Sequence, residues 1–239
     1  VGYTINGGKP VTGTCNSIIP AGEEFTYTFT QKADLSVPAI YQVEASLSYD
    51  RDRKPEDDTH LKFTKRKGAT PPPFYENFDT NAGFELNWTN VALNSNALEF
   101  SYDETSVDAD GGVGCVYAVP VTWAGRSGPS ASYIISADPI RISEAGNYHI
   151  SFYSQNLFSQ SFRVLYGTSD DPEAMEVLAD FPELLATGLN KWRCSSVNFQ
   201  IDTPDDYYIA FHYYSDPSKT SAYLYLDKIA FAPGDFVGI

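Results

Sequence analysis

A two-residue rhythm recurs along most of this chain. In EEFTYTFTQ the apolar positions are Phe25, Tyr27 and Phe29, and in AIYQVEASLSYD they are Tyr41, Val43, Ala45 and Leu47. Successive side chains of an extended strand point to opposite faces, so this spacing gives a strand one apolar face. The same pattern marks VGYTING, VTGTCN and THLKFTK, and later ALEFSYD, GCVYAVP, SYIISADPIRI, NYHISFYSQN, SFRVLYGT, KWRCSSVNFQI, YYIAFHYYS and AYLYLDKIAF. Composition agrees: 17 Tyr and 15 Phe against a single Met favour strands over helices. Only DDPEAMEVLADFPELL, residues 170–185, has helix-like content, and Pro172 and Pro182 limit it to a short helical turn.

KRKGATPPP interrupts the rhythm with a basic cluster, Gly68 and three prolines. Prolines cannot donate to a central ladder and stiffen the backbone, so this stretch reads as a solvated linker. The chain is therefore expected to be all-β in two parts. Residues 1–65 form an Ig-like β-sandwich fragment. The Pro-rich linker covers 66–73, and a larger jelly-roll β-sandwich covers 74–239. About 65 residues is short for a seven-stranded sandwich, so the first part is expected to be truncated at its N-terminus. The 239 residues contain no internal repeat and no apolar run of membrane-spanning length. The net charge of −15 argues against nucleic acid or anionic lipid as a partner and suits a surface protein with carboxylate clusters.

Residues 74–232 resemble the cleaved-adhesin, or choice-of-anchor, jelly-roll domains. FYENFD, SYIISADPIRISEAGNYHISFYSQN, FRVLYGTSDDPE, KWRCSSVNFQIDTPDDYYIAFHYYSD and YLYLDKIAF carry the resemblance, in the family's order. Lys228 departs from it, standing where the family often has a second acidic residue. Residues 1–65 resemble bacterial adhesion-related (CARDB-like) Ig-like domains through GGKPVTGT, IPAGEEFTYTFTQKADLSVPAIYQVEASLSYDRD and RKPEDD. The two resemblances imply a non-catalytic adhesion or binding module, secreted or on an outer-membrane-associated cell surface, that meets a host protein or glycan. The alternative is a carbohydrate-binding accessory module of a larger secreted hydrolase or protease.

Enzyme signatures are sparse. The three histidines, His60, His149 and His212, fit no H-E-x-x-H, and G-x-S-x-G, C-x-x-C and P-loop motifs are missing. GGVG at 111–114 lacks the following helix that a phosphate cradle needs. Cys194 with His149 or His212 is the one nucleophilic pairing available, and both partners sit in strand patterns that favour packing. The three cysteines, Cys15, Cys115 and Cys194, allow one bridge with a thiol left over, or three free thiols.

Asp227 is the anomaly of the last strand. On a period-2 count it shares a face with Tyr223, Tyr225, Ile229 and Phe231, and a buried carboxylate needs a partner. A structural Ca²⁺ held by Glu76, Asp79, Asp108, Asp110 and Asp227 would provide one, and calcium in the family supports that choice through resemblance. Backbone N–H groups or a nearby Lys, Arg or Tyr are the other answer. DRDRKPEDD reads as a solvated hairpin tip. Among the aromatic residues, Trp123 with Arg126 in a Gly-rich loop is the candidate ligand contact, whereas Trp88 and Trp192 are expected to pack.

Overall fold

Strand alternation translates directly into ladders. The computed structural model describes residues 1–20, 22–51, 53–54, 58–107, 109, 111–120, 130–188, 190–214 and 223–237. The chain divides into two units, Val1–Gly68 and Ala69–Ile239.

The first unit is an antiparallel sheet of β1 (Gly2–Ile5), β2 (Val11–Thr12), β3 (Ala39–Ser46) and β4 (Thr59–Arg66), in the order β2-β1-β3-β4. Asn6 and Gly7 both have positive φ, and the Gly8 N–H donates to the Ile5 carbonyl at 2.9 Å. Two left-handed residues closed by that bond make a tight turn at the end of β1. The strand expected over residues 23–31 does not join the ladder. The segment instead packs by its rings, with Phe29 edge-on to Tyr3 and Tyr27 at 4.8 and 4.9 Å. Side-chain alternation had found the packing face without the backbone pairing.

The second unit begins with β5 (Phe74–Glu76), helix α1 (Asn81–Asn87), β6 (Trp88–Ala92), β7 (Ser101–Val107), β8 (Val113–Ala118) and β9 (Ser132–Ser136). It continues with β10 (Ile140–Arg141), β11 (Gly146–Asn156), β12 (Gln160–Gly167), β13 (Glu176–Leu184), β14 (Arg193–Ile201), β15 (Asp206–Tyr214) and β16 (Leu224–Pro233). One sheet runs β13-β12-β15-β9-β6 with β10 against β15; the other runs β14-β11-β16-β8-β7 with β5 against β16. Between them lies a core that includes Ile134, Ile150, Phe152, Phe162, Ile209, Phe211, Leu226 and Phe231. Phe152 is its hub, with ring centroids 5.3 Å from Phe162 and 5.7 Å from Phe211. Each fully buried ring of this size contributes about 1.5–3 kcal/mol relative to exposure.

Two elements differ from expectation. Residues 170–185 form only a 3₁₀ turn at Pro172–Ala174 before running on as β13. Pro182 is tolerated because β13 is a sheet edge and the ladder shifts register between Phe181 and Leu184. Helix α1 has no long apolar repeat to announce it. It is set by Thr80, whose Oγ1 accepts the Gly83 N–H at 3.0 Å as an N-cap.

Candidate functional site

The site grows from an irregularity in β16. Against β11 the register runs Ser151↔Ala230, then Tyr153↔Asp227, so β16 carries one extra residue. Lys228 sits there at φ +47°, a left-handed conformation that side chains other than Gly, Asn and Asp rarely adopt. The bulge switches the parity of the strand. Leu224 and Leu226 face the inter-sheet core before it, and Ile229 and Phe231 face the core after it. Asp227 therefore does not share a face with Ile229 and Phe231, correcting the period-2 count.

Asp227 points to the outer side of its sheet, yet only 1% of it is exposed. Its Oδ2 accepts the Ala109 N–H at 2.8 Å and its Oδ1 accepts the Lys228 N–H at 2.7 Å. The first bond ties the β7–β8 connection to the closing strand. Backbone donors thus give Asp227 partners within the chain.

Glu76 lies on the other side of the same sheet. It pairs with Ile229, and its neighbour Phe74 packs on the core. Its Oε1 accepts the Phe78 N–H at 2.9 Å; its Oε2 accepts Asn87 Nδ2 at 2.9 Å and Trp88 Nε1 at 3.3 Å. Trp88 itself is core, packed on Phe74, Phe78 and Phe211. Asp79 is exposed. Among the described residues no three acidic, His or Cys side chains gather in a way that could hold a metal ion. Three N–H groups converge on Glu76, which is not the setting of a cation ligand. Asp108, Asp110, Trp123 and Arg126 lie outside the described residues.

Beside the bulge is a groove of about 290 Å³ on the outer face of this sheet, lined by Tyr75, Asn77, Tyr153, Cys194, Lys228 and Phe236 among others. That is near the small end of ligand pockets, roughly 300–1,000 Å³. Tyr75 is 66% exposed at its rim. Its pairing with Ala230 turns its side chain outward, since Phe74 and Glu76 on either side face inward. Tyr153 stands between Cys194 of β14 and Asp227 of β16 in the ladder. Phe236 is held by its N–H, which donates to Asn198 Oδ1 at 2.9 Å, and by its ring, 5.5 Å from that of His149.

The nucleophile pairing does not assemble. Tyr153 lies opposite Cys194, and His149 is four residues along the same strand, roughly 13 Å away at the usual rise. His212 is in the other sheet, on its outer face. Burial pushes the Cys194 thiol up, against a lowering contribution from Tyr153, so at neutral pH it is a thiol rather than a thiolate. Cys15, Cys115 and Cys194 are all unbridged.

On the outer face of the opposite sheet, His212 stacks on Tyr133 at 4.0 Å and 12°. Arg163 lies 4.4 Å from the centroid of the Tyr214 ring and bonds Asp180 at 2.9 Å. His212 is 6% exposed and its Nε2 has no hydrogen-bond partner among the described residues. Burial, reinforced by the Arg163 charge and opposed by Asp180, pushes its pKa down to about 4.

The groove residues escaped sequence reasoning because nothing in the alternation marks a bulge. Lys228 left a trace as a residue foreign to its motif, and Cys194 was marked only as a nucleophile.

Among the described residues, two six-stranded antiparallel sheets, closed by pairing of the unit's first and last strands, define the class: a jelly-roll β-sandwich. No protein-family model matches the sequence, and no curated protein matches it. Among solved structures, the chain is similar to the K1 cleaved adhesin domain of Lys-gingipain from Porphyromonas gingivalis W83. The TM-score is 0.52 at 16% identity, covering 69% of this chain and 99% of that one. The K3 domain of the same protein matches at TM-score 0.47 and 13% identity, covering 67% and 98%. The module TmCBM61, solved with beta-1,4-galactotriose, matches at 0.42 and 13%, covering 66% and 99%. At 16% identity the likeness to the K1 domain is one of fold, and it bears out the all-β jelly-roll expectation.

Proposed function

We propose that this chain is a non-catalytic adhesion module displayed outside the cell, that a surface glycan is what it contacts, and that the first unit serves as a spacer arm. The observation that carries this reading is the groove beside β16, an aromatic-lined recess on a hydrogen-bonded sheet with polar groups at Asn77 and Lys228. Aromatic walls with a few placed polar groups suit a ligand recognised by shape and stacking. The ionisable groups buried nearby support a binding role, because Glu76 and Asp227 are engaged by the protein's own N–H groups. The fold shared with an adhesin domain agrees with it, and no described helix is long and apolar enough to cross a membrane.

The test is a glycan array probed with the full chain, in parallel with immobilised host matrix proteins. Binding to glycans is expected, with loss in Tyr75→Ala at an unchanged melting temperature. A blank array with protein binding, or glycan binding indifferent to Tyr75, would contradict the reading.

A further inference from the structure

We infer that the open edge of β4, in the first unit, is a docking site for an extended acidic segment of a partner protein, which joins the sheet as an antiparallel fifth strand. This site is separate from the groove and goes beyond a spacer role for that unit.

The register shows which backbone groups the edge offers. The Leu47 N–H donates to the Asp58 carbonyl at 2.8 Å, so these two residues form a hydrogen-bonded pair of the β3–β4 ladder. Such pairs alternate along antiparallel strands, which puts Ala45↔His60, Val43↔Lys62 and Tyr41↔Thr64 in the same class. On the other side of β3, the Asn6 N–H donates to the Gln42 carbonyl at 2.9 Å and fixes the same phase. The N–H and C=O groups of Thr59, Leu61 and Phe63 therefore point away from β3. β4 is the last strand of the order β2-β1-β3-β4, and among the described residues no strand pairs with its outer edge. It runs for 8 residues with neither a proline nor a register shift, two devices by which natural sheets blunt an edge.

The side chains say what fits there. Leu61 and Phe63 share a face and are 46% and 40% exposed. The rings of Tyr27 and Phe29 do not cover them, because they pack toward Tyr3 of β1. On the other face stand Lys62 and Arg66, both exposed, and their cross-strand neighbours on β3 are Val43 and Ala39. Arg66 closes the strand at the end remote from the acidic residues 56–58. In a chain of net charge −15, residues 59–67 carry Lys62, Lys65, Arg66 and Lys67 and no Asp or Glu. Like charges opposite one another on neighbouring strands are destabilising, so Lys62 and Arg66 disfavour a second copy of β4. They favour a strand that alternates, apolar beside Leu61 and Phe63 and acidic beside Lys62 and Arg66. Main-chain bonds then give affinity and the alternate side chains give selectivity.

The experiment titrates the isotope-labelled full chain with two capped peptides, EVEVEVE and KVKVKVK, following amide hydrogen exchange and chemical shifts. The acidic peptide should slow exchange at Leu61 and Phe63. It should bind about tenfold more tightly than the basic one at low salt, the preference shrinking as salt rises. N-methylation of its valines, whose N–H groups face β4 in this register, should abolish binding, whereas N-methylation of its glutamates should be tolerated. Lys62→Glu combined with Arg66→Glu should reverse the peptide preference. The N-methylation contrast, made on the unsubstituted chain, decides the matter if that variant fails to fold. Absence of binding, equal binding of the two peptides, or tolerance of N-methylated valines would overturn the inference. Slowed exchange at Leu61 and Phe63 on raising the chain concentration alone would overturn it in favour of a second copy. These readouts lie in the first unit, so they are separable from the glycan array.

Discussion

Glu76 and Asp227 lie two register positions apart on paired strands, β5 and β16, and point to opposite faces of the same sheet. Each carboxylate is held by N–H groups of the chain. Those bonds tie the first and last strands of the unit to α1 and to the β7–β8 connection, closing the jelly roll.

Removing either carboxylate should therefore destabilise the second unit. Asp227→Ala leaves the Ala109 and Lys228 N–H groups without this acceptor. Glu76→Ala strips acceptors from Phe78 N, Asn87 Nδ2 and Trp88 Nε1. A loss of about 2–4 kcal/mol is expected in each case, read from denaturant midpoints. Glu76→Gln should cost less, because one acceptor oxygen is kept.

Chelation addresses calcium directly. With N–H donors on Glu76 and Asp227, the melting temperature is expected to be unchanged by a chelator. A marked fall would show that Asp108 and Asp110, outside the described residues, complete a cation site on Asp227.

His212 makes stability depend on pH. Its imidazole takes up a proton near the ordinary value of 6.5 when unfolded and only near pH 4 when folded. Above pH 6.5 both states are neutral and the full stability is present. As pH falls from 6.5 to 4 the unfolded state gains protons first, and about 3 kcal/mol is lost from this group. His212→Phe should retain the stack on Tyr133, remove the unpartnered Nε2 and abolish this component. Chemical denaturation at pH 7 and at pH 4.5 measures the difference.

Gly114 is required by close approach. At φ +116° a Cβ there would lie 2.4 Å from the Phe78 carbonyl oxygen. Gly114→Ala should destabilise the unit by about 2–4 kcal/mol, whereas Gly146→Ala, with open space around it, should cost under about 1 kcal/mol.

Much of the fold was legible because burial of one strand face writes period-2 alternation into the sequence. The runs through Ile150 and Phe152, or Ile209 and Phe211, could hardly be read otherwise. What stayed hidden depended on irregularity. β13 was concealed by Pro182, acceptable only at an edge with a register shift. The strand read at 23–31 had alternation without a pairing partner. The groove arises from one inserted residue at Lys228, and the same insertion made the face of Asp227 unreadable. Trp88 was readable as core from its strand context, but its bond to Glu76 was not, since that bond depends on how α1 folds back.

The measurement that reaches the central claim most directly is amide chemical-shift mapping of the full chain with the tightest-binding glycan of the array as probe. The account expects perturbations clustered at Tyr75, Asn77, Tyr153, Lys228 and Phe236, on the outer face beside the bulge. Perturbations confined to Tyr133, His212 and Tyr214 on the opposite sheet, or none at all, would contradict it.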